Sequence, residues 1–177
     1  GKEGLIGRAL LSCPADQPSK IVFRDILKKK YSDISALNSA WKADYKDWED
    51  FLARKDFDTT CDAAQEDFKA IEKIITDAYF TACRAAVKSV NPDALYLGCR
   101  FGFSWLNKIV ITAAFEKCDV VTYNIYNDTP NVLKTRLYEG IEDKPVMIGE
   151  FHFGAGDRGN FWASLCPKSS SKERTKS

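Results

Sequence analysis

The sequence predicts an α/β fold in which parallel strands are joined by crossover helices. Three observations carry this expectation. From residue 62 onward the apolar pattern alternates between helix and strand three times, the rhythm of successive βαβ units. The strands read as near-continuous apolar runs, as they do when both faces of a sheet are covered. Each then ends in polar or aromatic side chains: Arg100 on the first, Asn124 and Tyr126 on the second, Glu150 and His152 on the third. In parallel sheets the residues that do chemistry gather at the C-terminal strand ends.

The first third of the chain is helical. Residues 4–12 form a short apolar segment closed by Cys13-Pro14. Ser19 is placed to cap a helix over residues 21–27, which runs into Lys28, Lys29 and Lys30, cations that suit a helix C-terminus. Asp33 or Ser35 caps a further helix bearing Leu37 and Trp41, and Trp48, Phe51 and Leu52 cluster at i, i+3 and i+4 on the next. These small helices read as an elaborated loop region rather than an independent core. The clearest helix covers residues 62–90. Ala64, Phe68, Ile71, Ile75, Ala78, Ala82, Ala86 and Val90 recur there at three- and four-residue steps and define one apolar face. Asn91-Pro92-Asp93 stops it, because proline cannot continue the hydrogen-bond ladder. Then come a strand at 95–101, a helix at 107–117, a strand at 120–126, a helix at 131–139, and a strand with its exit loop at 144–154.

A length of 177 residues with 45% hydrophobic content suffices for one domain with a real core. It falls short of the roughly 250 residues of a complete eight-stranded α/β barrel. Twenty-six basic and 25 acidic side chains give a net charge of +1, so neither nucleic acid nor an anionic membrane is an expected partner. The basic stretch 168–176 reads as a solvated end. No apolar run approaches the roughly 20 residues that span a bilayer. The N-terminus lacks a signal-peptide core, which would belong to a longer parent if one exists. The six cysteines are scattered without CxxC or metal-type spacing. Cys83, Cys99 and Cys118 lie in apolar segments as small hydrophobes, and buried free thiols are expected for most of the six, one or two disulfides being the alternative. A single histidine excludes a His-rich metal site. No phosphate loop or GxGxxG element is present, so neither a metal nor a cofactor is expected.

Glu150 follows Pro-Val-Met-Ile-Gly, a buried strand able to hold a carboxylate rigidly. A retaining glycosidase needs such a group to attack the anomeric carbon, and a second carboxylic acid about 5–5.5 Å away to protonate the leaving oxygen. The plainer alternative is a Glu150–Arg100 salt bridge, and the two are compatible, since an arginine keeps a carboxylate ionised. His152 would point to the same side as Glu150 on an extended strand, to contact a sugar hydroxyl or simply to serve as a structural imidazole. Tyr126 is placed to hydrogen-bond the carboxylate, to stack on a sugar, or to pack in the core. Asn124 reads as a polar strand-end residue. Trp105, Phe103 and Phe101 after the first strand, and Phe153 and Trp162 after the last, are either sugar-stacking faces or core. Asp157-Arg158-Gly159 reads as a turn with an internal ion pair, and Gly98 and Gly149 as sites of close strand packing.

The segments Leu95-Tyr96-Leu97-Gly98-Cys99-Arg100-Phe101, Cys118-Asp119-Val120-Val121-Thr122-Tyr123-Asn124-Ile125-Tyr126 and Pro145-Val146-Met147-Ile148-Gly149-Glu150-Phe151-His152-Phe153-Gly154-Ala155 resemble the β-agarases of glycoside hydrolase family 50. The upstream helices, with Pro14-Ala15-Asp16 and Tyr31-Ser32-Asp33-Ile34-Ser35-Ala36-Leu37-Asn38, are similar in order and type. The resemblance covers nearly the whole chain, and its Ile-Gly-Glu-Phe-His-Phe-Gly stretch is specific. It implies part of a TIM (β/α)8 barrel of clan A, retaining chemistry, and β-1,4-galactosidic bonds of agarose-type galactans as substrate. The three strands become barrel strands five to seven. Residues 1–61 become a helical loop region after strand four, 62–167 the β/α units, and 168–177 a polar basic tail. Glu150 matches the nucleophile, with Arg100, Asn124, Tyr126, His152 and Trp105 as substrate-binding candidates. The family's acid/base glutamate sits in an Asn-Glu pair, and no Asn-Glu dipeptide occurs in this sequence. The acid/base is therefore expected outside this chain, and the chain alone is expected to be inactive. The partner implied is a galactan polysaccharide or oligosaccharide, met outside the cell or in the periplasm. Two other readings stand beside this one: a β-galactosidase or other clan-A β-glycanase, and a non-catalytic carbohydrate-binding half-barrel.

Overall fold

The computed structural model describes residues 3–55, 61–102, 107–127, 144–159 and 165–175. The chain divides into two compact units, Gly1–Tyr79 and Phe80–Ser177, and the division falls inside one long helix.

The first unit contains α1 (Leu5–Leu11), α2 (Pro18–Tyr31), α3 (Ile34–Trp41), α4 (Trp48–Ala53) and the beginning of α5 (Asp62–Val90). Helix α2 starts at Pro18 behind Gln17, one residue before the expected cap Ser19. Proline at the first helical position brings a preset φ and lacks only an N–H that would have no partner. Asp33, not Ser35, caps α3 by accepting the Ala36 N–H at 2.9 Å, and Asp47 caps α4 through the Asp50 N–H at 2.7 Å. The small helices are not a loop elaboration without a core. Phe23, Trp41, Phe51 and Phe68 meet at ring-centroid distances such as 5.4 Å for Trp41–Phe68 and 6.1 Å for Phe23–Trp41, inside a shell of Leu10, Leu11, Leu27, Leu37 and Ile71. Tilted and edge-on ring pairs of this kind add to the burial itself.

Among the described residues of this unit three charged side chains are buried, each with partners. Lys20 is fully buried and donates to the carbonyls of Leu11, Cys13 and Arg54 at 2.9–3.0 Å. Asp67 accepts from Lys30 Nζ at 2.6 Å, Tyr31 Oη at 2.7 Å and Trp41 Nε1 at 2.9 Å. Glu72 accepts the N–H groups of Gly4 at 2.5 Å and Ile6 at 3.1 Å, so a carboxylate from α5 satisfies donors at the start of α1.

The second unit holds the remainder of α5, β1 (Arg100–Gly102), α6 (Lys108–Lys117), β2 (Val121–Asn124), β3 (Val146–Glu150), β4 (Gly154–Ala155), β5 (Pro167–Lys168) and α7 (Ser171–Arg174). Strands β1, β2 and β3 form a sheet in that order, and both pairings are parallel. Asn107 caps α6, which connects β1 to β2. The expected apolar face of α5 holds for Ala64, Phe68 and Ile71, but Ala82, Ala86 and Val90 are exposed. Phe80, Cys83 and Val87 are the residues that join the core of the second unit. A stripe of Phe, Cys and Val removes more apolar area from water than one of small alanines, and so it wins. Ala78, in the first unit, is likewise exposed.

The strand expected at 95–101 is reduced to Arg100–Gly102. Gly98 has φ +62, and a Cβ there would lie 2.4 Å from Cys118 Sγ, so the segment bends where only glycine fits. Its anchor is Asp119, which takes the Tyr96 N–H at 2.8 Å, Arg84 at 2.8 Å and Lys88 at 3.1 Å. The Tyr96 N–H first, then the Arg84 hydrogen bond, hold this carboxyl well below the usual carboxylate range. A depressed folded pKa means that the unfolded chain binds the proton more readily. The stabilisation is therefore present above the ordinary value of about 3.9 and is lost as pH falls through the folded one. Asp119→Asn is expected to lower unfolding stability by about 1–3 kcal/mol at neutral pH. In acid unfolding series its difference from wild type should close only below the ordinary carboxylate pKa.

Of the strand and exit loop expected at 144–154, the strand ends at Glu150, and residues 154–155 belong to a second sheet, paired in parallel with Pro167–Lys168. The start of the basic tail is thereby held by pairing rather than fully solvated. Asp157 and Arg158 do not pair with each other; both bind Ser171, Asp157 through the Ser171 N–H at 2.9 Å and Arg158 Nε at 2.7 Å from its hydroxyl. All six cysteines are free, and burial pushes the Cys118 thiol up to about 11. The helix expected at 131–139 lies outside the described residues. No helix among the described residues is long and apolar enough to cross a membrane.

Candidate active site

Register brings the site together. Gly102 lies beside Asn124, and Asn124 beside Glu150, so the three strands deliver their ends at one level. A bulge between Tyr123 and Asn124 interrupts the β2–β3 ladder and resets it at Glu150. The Glu150 carbonyl takes the Ile125 N–H at 2.9 Å, which fixes the backbone under the carboxylate.

Both carboxylate oxygens of Glu150 are engaged. Arg100 Nη1 lies 2.7 Å from Oε1, and Tyr126 Oη donates to Oε2 at 2.5 Å. The glutamate side chain is 34% exposed and that of Arg100 59%, so the pair opens to solvent on one side. Arg100 is the first residue of β1 rather than its last, and it reaches the strand-end level through the length of its side chain. The Tyr126 phenol is raised above its ordinary pKa, first by its hydrogen bond to Glu150, because losing its proton would set two anions against each other. Replacing Glu150 by glutamine should bring Tyr126 back towards an ordinary tyrosine value, read as an earlier rise of tyrosinate absorbance in a spectrophotometric titration. An unchanged titration would separate Tyr126 from Glu150.

The remaining candidates divide. Asn124 ends β2 between the two partners, and its Oδ1 is buried without a hydrogen-bond partner among the described residues. His152 lies two residues beyond the end of β3 in a segment without regular structure, and it is exposed. The strand pairing that would fix its direction relative to Glu150 stops at Glu150, since no strand among the described residues pairs with 151–153. Phe101 turns into the core, 5.9 Å from the Tyr123 ring. Phe153 lies 6.3 Å from Phe151, with Lys168 Nζ 5.7 Å from its ring. Trp105, Phe103 and Trp162 lie outside the described residues. Gly149 is the residue whose part was only half visible: a Cβ there would meet the Arg100 stem. Among the described residues no group of three or more His, Cys, Asp or Glu side chains is arranged to hold a metal ion.

A parallel sheet that presents a carboxylate between an arginine and a tyrosine at its strand ends is an arrangement suited to glycoside hydrolysis. The chain belongs to the glycoside hydrolase family whose model, glycoside hydrolase 42, is described as β-galactosidase and matches residues 12–165. Its similarity extends to agarases. Beta-agarase B of Vibrio sp. (strain JT0107) is 32% identical over 176 residues, and Beta-agarase A of the same strain is 34% identical over 145. These alignments cover 98% and 80% of this chain, but 18% and 14% of the two relatives, so the chain spans less than a fifth of their length. The crystal structure of an agarase, AgWH50C, matches with a TM-score of 0.84 at 38% identity over 97% of this chain and 24% of its own. An exo-beta-agarase matches with a TM-score of 0.85 at 34% identity, over 94% and 23%. The resemblance to the agarases of glycoside hydrolase family 50 is thus matched by curated relatives and by solved structures.

Proposed function

We propose that this chain is part of an agarase-type glycoside hydrolase that cleaves β-1,4-galactosidic bonds of agarose-type galactans with retention of configuration. Glu150 is the nucleophile, and the acid/base lies outside this chain. The observation that carries the reading is the two-partner clamp on Glu150 at the end of a parallel strand. An arginine on one oxygen and a phenol on the other fix the plane of the carboxylate that would attack an anomeric carbon. Tyr126 and Arg100 then hold the nucleophile and border the sugar site. Asn124 remains a substrate-binding candidate at the end of β2, although its Oδ1 is buried rather than open to a sugar. His152 and Trp105 remain candidates for contacts with more distant sugar hydroxyls and ring faces. No cofactor enters this chemistry, because two carboxyl groups perform both of its proton and nucleophile steps.

The fold reading goes with it. Strands β1, β2 and β3 are taken as strands five to seven of a (β/α)8 barrel, within β/α units over 62–167. The parallel order β1-β2-β3 and the helical connection from β1 to β2 support this assignment.

A second reading, β-galactosidase or another clan-A β-glycanase, draws on the description of the matching family model. The two separate on substrate. The full-length protein is to be assayed on agarose, agaro-oligosaccharides and simple β-galactosides, and the anomer released first followed by proton NMR. Cleavage of agaro-oligosaccharides with β-configured first product is the expected result. Activity confined to simple β-galactosides would move the assignment to the second reading, and an inverted product would remove the nucleophile role from Glu150.

A further inference from the structure

The Arg100–Glu150 pair joins strands that are not neighbours, and we propose that Gly149 is the positioning residue that allows it: its missing side chain leaves the channel through which the Arg100 stem crosses to the carboxylate. The proposal rests on the reading of Glu150 as nucleophile and adds a residue to it. Strand β2 lies between β1 and β3, and in a flat sheet the outer two backbones would stand roughly 10 Å apart. Yet a Cβ at position 149 would lie 3.0 Å from Arg100 Cδ and 3.2 Å from its Cγ, with Asn124 Oδ1 at 3.6 Å. Such an approach requires the sheet to curl towards the face that carries the arginine stem. The break in the β2–β3 ladder beside Asn124 is where Gly149 enters that face.

Carbon atoms in ordinary contact stand about 3.5–4.0 Å apart. An alanine at 149 therefore crowds the arginine at two carbons, and the stem, more than half exposed, yields by swinging towards solvent. Among the described residues, the charged and titratable groups that contact Glu150 are Arg100 from β1 and Tyr126 from the segment after β2. Tyr126 is not among the atoms nearest the 149 position. The substitution thus displaces one partner of the carboxylate and leaves the other.

The test uses the full-length protein with Gly149→Ala, Arg100→Ala and the double variant, assayed on agaro-oligosaccharides. Gly149→Ala is expected to lower kcat about tenfold with KM within about twofold, and the double variant to be no slower than Arg100→Ala alone. A wild-type kcat in Gly149→Ala, or losses that multiply in the double variant, would overturn the proposal. Thermal melting gives a second arm that does not depend on turnover. A loss of Tm caused by the alanine is relieved when the arginine stem is removed, whereas an equal loss in both backgrounds overturns the proposal. Full turnover in Glu150→Gln would instead sink the reading of the site while leaving the melting comparison decisive for Gly149.

Discussion

Glu150→Gln in the full-length protein is expected to lower kcat on agaro-oligosaccharides by about 10³-fold or more, with KM little changed. Glutamine keeps the shape of the side chain and an acceptor for the Tyr126 hydroxyl. What it loses is the anionic oxygen that would bond to the anomeric carbon, an interaction made only on the way to the transition state, so the loss falls on kcat. The Glu150–Arg100 pair is substantially exposed, and exposed ion pairs contribute little to stability. The variant should therefore melt close to wild type. The competing account, in which the pair is only a structural bridge, predicts the reverse: turnover retained, with any deficit appearing in the melting temperature.

Lys20→Met is expected to destabilise the fold by about 1–3 kcal/mol, measured by denaturant unfolding of the full-length protein. Methionine replaces most of the buried stem, so the volume change is small and the lost interaction is the ammonium. That group is fully buried and ties together three carbonyls, from Leu11 at the end of α1, Cys13 in the following turn, and Arg54 just after α4. Without it, acceptors shielded from water lose their donor, and such groups are costly to leave unsatisfied. Burial lowers the Lys20 pKa. Between the folded value and the ordinary one of about 10.4 the unfolded chain binds more protons than the folded one, so the Lys20 contribution to stability rises with pH across that window. Lys20→Met should lack this rise. A loss below about 1 kcal/mol would mean that water or backbone relaxation replaces the ammonium.

The parts of the molecule that were legible in the sequence are those where side-chain pattern and backbone preference agree. Helix α5 begins at Asp62 and ends at Val90 before Asn91-Pro92. Asp33, one of two expected caps, caps α3, and β2 and β3 fall within the expected apolar runs, although β3 is not the buried strand expected, since Val146 and Met147 are exposed. Where two patterns of equal spacing competed, local reading failed. The second half of α5 carries both an alanine stripe and a Phe80–Cys83–Val87 stripe, and only packing partners choose between them. The strand before Arg100 failed for a backbone reason, since a positive φ at Gly98 cannot be distinguished in sequence from a glycine that merely packs closely.

Buried charges were the larger omission. Lys20 lies on the same helix face as Phe23 and Leu27, and Glu72 four residues after Phe68. A charged residue in register with an apolar stripe was the signal that could have found both. At the site, Glu150 was legible because a polar residue closed an apolar strand, and Tyr126 because it closed the preceding one. Their contact depends on a register break that no local pattern encodes. His152 lies beyond the last paired residue of β3, so strand alternation does not fix its direction.

The central claim, that Glu150 attacks the sugar, is tested most directly by trapping the intermediate. The full-length protein is incubated with an activated 2-deoxy-2-fluoro-β-galactoside, digested, and its peptides mapped by mass spectrometry. A glycosyl ester on Glu150, absent in Glu150→Gln, is the predicted result. An ester on a different carboxylate would contradict the assignment.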